Sequence, residues 1–422
     1  MTNYEQFLSR AGIGMRESAI RQMGSVLSQS VDMVSFAPGY PAEDQFPWQA
    51  LTEIARELLD GADGAVLQYG PTRGYKPLRD ATVDIMRTRG ISSAVERVVV
   101  TTGSQQGLDI VARVLLDPDD VVLMELPSYT GAISAFRNVG ASLVGVRQAP
   151  DGIDLDNLDE VYDRERRTGH RVKMLYLVPN FQNPAGLLMS LPKRLAVLEW
   201  AERRDVLILE DDPYRDLYFP DVSTEAETRP VAADDGAVRV VYLSSFSKTL
   251  APGFRVGWVS APPAIAARLE LAKQAEDLCS GAFDQRVVYE ACRRGLLAQH
   301  IPVLRAHYQM KRDTMVRAIH QHLPGRVTWT PPRGGFFLWV ALDGLRGQDV
   351  MPFAQARGVI YVNGSAFFVD GSGHEFIRLS FSAPSPARIE EGVARLAAAI
   401  ADARVATPAT AVSASPASRA TR

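Results

Sequence analysis

Between about Arg97 and Ser260 the sequence alternates short runs rich in β-branched residues with helix-like stretches, and this alternation confines the chain to few folds. The runs read as strands over Val98–Thr102, Val121–Glu125, Leu143–Val146, Lys173–Val178, Val206–Glu210, Val238–Ser244 and Val256–Ser260. Most are continuously apolar, as strands are when helices cover both faces of a sheet. The pattern predicts an α/β layer with a mostly parallel seven-stranded sheet. One connecting helix is legible in detail: Ser190 as N-cap, Pro192 in the first turn, and Leu191, Leu195 and Leu198 at helical spacing to face the sheet. Asp221–Gly236, acidic and Pro-containing, reads as a solvated insertion.

After Gly281 the pattern changes to a long helix around Val303–Leu323, then strands at Val327–Thr330, Phe336–Ala341 and Ile377–Ser382. A closing helix has Ser385 as cap, Pro386 just inside, and the stripe Ile389, Val393, Leu396 and Ile400. This predicts a smaller α+β domain. The expected division is an N-terminal arm with part of the small domain over 1–45, a large domain over 46–295, the small C-terminal domain over 296–404, and a tail over 405–422. The tail holds only Ala, Thr, Ser, Pro, Val and Arg and reads as disordered.

A chain of 422 residues is long enough for two domains, and with 46% hydrophobic residues it can bury substantial cores. Its 46 basic and 49 acidic residues leave a net charge of -3, which argues against nucleic acid or an anionic membrane as partner. Cys279 and Cys292 lack ligand-spaced His or Cys neighbours, so they read as reduced structural thiols and no metal is expected. The first ten residues contain no apolar core of a signal peptide, and no apolar run reaches membrane-spanning length. The expected location is cytoplasmic.

Chemistry concentrates at the ends of the expected strands. Ser244-Ser245-Phe246-Ser247-Lys248-Thr249 follows one strand, and Pro252-Gly253-Phe254-Arg255 precedes the next. This surrounds one amine with hydroxyls and a guanidinium, a set that suits a phosphorylated aldehyde: lysine forms the imine and the others hold the phosphate. Glu210-Asp211-Asp212-Pro213-Tyr214 puts acids at a strand's carboxyl end, where one can keep a ring nitrogen protonated. Asp211 is the sharper candidate; Asp212 reads better as a cap or turn residue. Thr101 to Leu108 joins a strand to a helix through small residues whose free N–H groups make an anion site. Arg378 lies inside the apolar strand Phe376-Ile377-Arg378-Leu379-Ser380, where a charge needs a partner. A substrate carboxylate would supply one, and a structural ion pair is the alternative.

The pattern Ser-x-Ser-Lys-x-x-x-Pro-Gly-x-Arg-x-Gly, with these companions, resembles the class I/II aminotransferases of fold type I, which use pyridoxal 5′-phosphate. The resemblance runs from about Ala19 to Ala403 and favours the branch with α-aminoadipate and kynurenine aminotransferases. It implies that the large domain binds the cofactor, with Lys248 as its imine partner, Asp211 on the ring nitrogen and Tyr214 on the phenolic oxygen. Asn183, in Asn183-Pro184-Ala185-Gly186, would touch both that oxygen and the substrate carboxylate. Gly103, Ser104 and Gln105 would cradle the phosphate with Ser245, Ser247 and Arg255. Tyr129 would stack on the ring, although a core tyrosine is the alternative. Arg378 and the Gly39 backbone, in Ala37-Pro38-Gly39, would meet the substrate. Tyr69, in Gln68-Tyr69-Gly70-Pro71, would reach the phosphate of a partner subunit and so implies a homodimer; a loop or core tyrosine is the plainer reading. Gly334-Gly335-Phe336-Phe337 also fits the family, whereas Asn363 stands where proline is expected.

The expected reaction is amino-group transfer from an L-amino acid to a 2-oxo acid in two half-reactions. Other pyridoxal-phosphate reactions at Cα, namely elimination, replacement or cyclisation, use the same cofactor groups and remain open at this point. A ligand-sensing transcription regulator would need a DNA-binding module ahead of Gly39, and none is expected. Gly12-Ile13-Gly14 follows no strand and lacks the third glycine of a dinucleotide loop.

Overall fold

The structure, a computed structural model, describes residues 4–15 and 32–406. After a two-residue strand β1 (Val34–Ser35), the apolar runs form β2 (Val98–Thr101), β3 (Val121–Leu126), β4 (Ser142–Ala149), β5 (Gly152–Ile153), β6 (Val172–Leu177), β7 (Leu207–Asp211), β8 (Val240–Ser245) and β9 (Gly257–Ser260). They build one sheet in the order β2-β9-β8-β7-β6-β3-β4-β5. Pairing is parallel from β8 through to β4, and antiparallel where β9 lies between β2 and β8. The sheet has eight strands instead of the expected seven because β5 folds back antiparallel on the end of β4.

Alternate residues of these strands enter two separate cores. Val98, Val100, Leu123, Leu175, Leu177, Ile208 and Tyr242 face one side. Val99, Val122, Met124, Met174, Tyr176, Leu209 and Leu243 face the other. Both faces are dry, which is why the runs are continuously apolar. The second core receives the helix Ser104–Leu115 through Leu108, Ile110 and Val111. The first receives the helix Leu191–Arg204. Ser190 Oγ caps that helix at Lys193 N, as expected, but the buried face is Arg194, Val197, Trp200 and Ala201, and Leu195 is 49% exposed. The face is rotated because Arg194 turns inward to bind the carbonyls of Pro179, Met189 and Arg229.

The helix Leu296–His322 starts earlier than the apolar pattern indicated and carries Pro302 inside it. Beyond it, β10 (Val327–Trp329), β11 (Phe337–Leu342), β12 (Val359–Ile360), β13 (Val362–Asn363) and β14 (Phe376–Ser380) follow. A second, antiparallel sheet has the order β10-β11-β14-β13, and β1 pairs with β12. The closing helix Pro386–Ala406 buries Ile389, Val393, Leu396 and Ile400 as expected. Val405 and Ala406 are still helical, and the rest of the expected tail lies outside the described residues.

Asp221–Gly236 is a solvated insertion only in its first half, where Asp221, Val222, Thr224, Glu225 and Ala226 are exposed; the second half turns inward. Val231 and Ala232 are buried, and their N–H groups donate to the two oxygens of the fully buried Glu210 at 2.9 and 2.8 Å. Burial raises the Glu210 pKa, and the loop supplies the donors that this carboxyl requires. Among the described residues no helix is long and apolar enough to cross a membrane, and no group of three or more His, Cys, Asp or Glu is placed to hold a metal ion.

Candidate active site

The carboxyl ends of β2, β3, β6, β7 and β8 deliver Gly103, Tyr129, Asn183, Asp211 and Lys248 to one edge of the large sheet. This edge is where sheets of parallel strands place ligands. The expected anion cradle forms at the start of the helix Ser104–Leu115, with Gly103 as N-cap at φ +77°. A side chain there would collide with the Arg255 guanidinium, so glycine satisfies both the backbone angle and the close approach. Gly257 sits behind the same turn, where a Cβ would come within 3.0 Å of Ser104 N. Ser247 N donates to Ser245 Oγ at 3.0 Å and the two hydroxyls are 2.8 Å apart. Tyr129 OH lies 3.3 Å from Gln105 Oε1, which ties the expected stacking residue to the cradle.

Lys248 Nζ donates to Gly39 O at 3.0 Å and stands 5.9 Å from the Tyr214 ring centre and 5.7 Å from that of Phe336. Burial lowers its pKa to about 8, and the positive charges of Arg378 and Arg255 act in the same direction. Asp211 is buried; burial raises its pKa to about 7, and Asp212 adds to the rise. Its Oδ2 accepts from Tyr176 OH at 2.9 Å, whereas its Oδ1 is buried with no hydrogen-bond partner among the described residues. One oxygen is anchored and the other is left to accept. Tyr176 escaped the sequence reading because a tyrosine in a strand is ordinary. The available signal was register: Tyr176 pairs with Leu209, two residues before Asp211, so both side chains lie on one sheet face. Tyr214 is buried beside Asn183, and burial raises its pKa.

Arg378 is fully buried at the centre of the second sheet, opposite Trp339 of β11 and Val362 of β13. Nη1 donates to Asn183 Oδ1 at 2.8 Å and Nη2 to Ala37 O, while Nε has no partner among the described residues. Among the described residues it forms no ion pair, so the structural alternative finds no carboxylate there. Its guanidinium carbon lies 4.3 Å from the Phe337 ring centre and 5.1 Å from that of Phe367, an aromatic clamp that sequence reasoning missed. Asp212 is neither a cap nor a turn residue: it accepts from Asn180 Nδ2 at 2.9 Å and Tyr242 OH at 2.8 Å in a buried network behind the site. Tyr69 is the outlier, 79% exposed beside a surface cleft of about 500 Å³ lined by Leu67, Ser280 and Phe283.

The sequence model for aminotransferase class I and II matches residues 31–396. The chain belongs to this aminotransferase family. It is 38% identical over 400 residues to aromatic-amino-acid aminotransferase 1 of Thermococcus litoralis, covering 94% of this chain and 95% of the relative. It is also 38% identical over 387 residues to the 2-aminoadipate transaminase of Thermus thermophilus, covering 92% and 94%. An α-aminoadipate aminotransferase structure from Thermus thermophilus, complexed with N-(5′-phosphopyridoxyl)-L-leucine, superposes with a TM-score of 0.87 at 35% identity over 96% of this chain and all of that one. The aminotransferase is thus an enzyme of amino-group transfer with the fold-type I architecture.

Proposed function

We propose that this aminotransferase binds pyridoxal 5′-phosphate through Lys248 and moves the amino group of an L-amino acid to a 2-oxo acid in ping-pong order. The observation that carries the reading is that Lys248 and Asp211, at one edge of the large sheet, and Arg378, from the second sheet, come near enough to act on one another, with Asp211 Oδ1 buried and unpartnered among the described residues. The cradle also fits a phosphate, since Gly103 leaves room for Arg255 beside the helix N-terminus. When bound, the cofactor supplies an electron-withdrawing ring and an aldehyde carbon that takes up the amino group.

The protein's own groups divide the remaining work. Asp211 Oδ1 accepts the ring N–H and holds that proton on nitrogen. Tyr214 and Asn183 orient the ring oxygen, Tyr129 covers one ring face, and Gly103, Ser104, Gln105, Ser245, Ser247 and Arg255 bind phosphate. Arg378, steadied by Phe337, Phe367 and Asn183, takes the substrate carboxylate with its remaining N–H groups. Lys248 Nζ, as a free amine, would take the proton from the substrate Cα and deliver it to the cofactor carbon that was the aldehyde. The same reading includes a homodimer and, on the free thiols Cys279 and Cys292, a cytoplasmic location. It places the division into arm, large and small domains at residues 45, 295 and 404, on the pairing of Val34–Ser35 with Val359–Ile360 and the start of the long helix at Leu296.

The test is a panel of amino acids offered to the cofactor-loaded enzyme, with aromatic amino acids and 2-aminoadipate first because the relatives carry those names. A matching 2-oxo acid and parallel double-reciprocal plots are expected. Lys248→Ala is expected to abolish multiple turnover, and near-normal rates in that variant would overturn the reading.

A further inference from the structure

Beside the turn that carries Gly103 lies a charged cluster, a buried lysine bonded to a partly exposed carboxylate, to which the proposed chemistry gives no role. Lys273, on the helix Pro263–Glu276, is fully buried. Its Nζ donates to both oxygens of Asp277 at 2.9 Å, to Gln106 Oε1 at 2.8 Å and to Ser280 Oγ at 3.0 Å. Gln106 Oε1 accepts in addition from Thr102 N at 2.7 Å, and Gln106 Nε2 donates to Asp277 Oδ2 at 2.7 Å. Thr102 Oγ1 donates to the same Asp277 oxygen at 2.9 Å, and Thr102 O accepts from Arg255 Nη2 at 3.4 Å. Every polar atom of Thr102 is therefore committed, and Gly103, Ser104 and Gln105 come next in the chain.

Two consequences follow from this wiring. Fixing Thr102 on three sides fixes the direction in which the first N–H groups of the helix Ser104–Leu115 point. The second consequence is electrostatic: Asp277, bonded to Thr102 Oγ1 and Gln106 Nε2, places a carboxylate next to the turn that forms the anion site. Burial works against its ionisation, but the bonds from Lys273, Gln106 and Thr102 outweigh burial and hold its pKa below the usual range. An uncompensated anion there would repel a phosphate, and Lys273 cancels it at the closest position available.

We propose that Lys273 is a positioning residue for the cofactor phosphate, neutralising Asp277 and, through Gln106, holding the Thr102–Gly103 turn in its anion-binding shape. The proposal rests on the pyridoxal-phosphate reading and deepens it by assigning the charge balance beside the cradle.

Equilibrium dialysis of the apoenzyme against pyridoxal 5′-phosphate and against pyridoxal, which has the same ring and aldehyde without the phosphate, tests it. Lys273→Met is expected to weaken the phosphorylated ligand about tenfold and pyridoxal by less than about twofold. The uncharged pair Lys273→Met with Asp277→Asn is expected to recover most of that loss. Gln106→Leu, which keeps the ion pair and its bond to Thr102 Oγ1 but frees Thr102 N, is expected to show the same selective loss and serves if Lys273→Met does not fold. Equal weakening of both ligands, or undiminished affinity for the phosphorylated one, overturns the proposal; no recovery in the double variant overturns the neutralising role. A wild-type protein that binds neither ligand defeats the cofactor reading itself, a different and distinguishable result.

Discussion

Lys248 meets opposing electrostatic demands. As an amine nucleophile it must lose its proton, and burial together with Arg378 and Arg255 brings its pKa down to about 8 while Asp211 pulls it the other way. Below that value most of the amine is protonated and inert towards a carbonyl. The rate at which apoenzyme captures the cofactor is therefore expected to rise with pH through about 8 and then level off. Arg378→Leu removes a neighbouring cation, so its midpoint is expected at higher pH; stopped-flow absorbance over a pH series measures both. Asp211 shows the opposite sign. Burial raises its pKa to about 7, and the Tyr176 hydrogen bond opposes the rise. In Tyr176→Phe the acid is expected to stay neutral to higher pH, moving the acid limb of kcat/KM upward and lowering the rate at neutral pH about tenfold. An unchanged pH profile would show that Tyr176 only fills space.

At the scale of elements, the site depends on how close the segment carrying Gly39 lies to the second sheet. A Cβ on Gly39 would come within 2.5 Å of Phe337 Cζ, and the Phe337 ring backs Arg378 at 4.3 Å. Gly39→Ala is therefore expected to push Phe337 against the guanidinium, raising KM for the amino acid several-fold with kcat and Tm little changed. Steady-state kinetics and a melting curve separate these effects. The same elements show what could be read from sequence. Arg378 and Lys248 were legible because a charge beside an apolar strand violates the local pattern and needs a chemical reason. Phe337 was visible only as part of a motif, since an aromatic in a strand violates nothing. The buried second half of Asp221–Gly236 was missed because composition describes exposure only on average, and the demand that buries it comes from Glu210, more than ten residues away in sequence. The inner face of the helix Leu191–Arg204 was missed for a similar reason: Arg194 faces inward to satisfy distant carbonyls, a need invisible to apolar spacing.

At the scale of the whole molecule, Tyr69 reaches none of the residues it was expected to serve within its own chain. It stands 79% exposed, with Leu67 at 76%, beside the cleft that Ser280 and Phe283 line. Two large exposed side chains in one loop suit a surface that a second copy covers, and on the proposed reading each loop of a two-fold dimer would serve the other subunit's cradle. The chain of 46.2 kDa is accordingly expected to sediment at about twice that mass. A sharper measurement asks whose phosphate Tyr69 serves. Lys248→Ala removes the amine, and Tyr69→Ala is expected to weaken cofactor binding enough to silence the enzyme at low cofactor concentration. If Tyr69 crosses the interface, a mixed dimer of the two variants has one site with both residues intact and one with neither. Unfolding and refolding the variants together should then restore about a quarter of wild-type activity, because half the dimers are mixed and half of their sites are whole. If Tyr69 serves its own subunit, every site in the mixture lacks one of the two residues and activity stays at the level of the separate variants. That result would remove Tyr69 from the partner's site while leaving Lys248 and Asp211 in their roles.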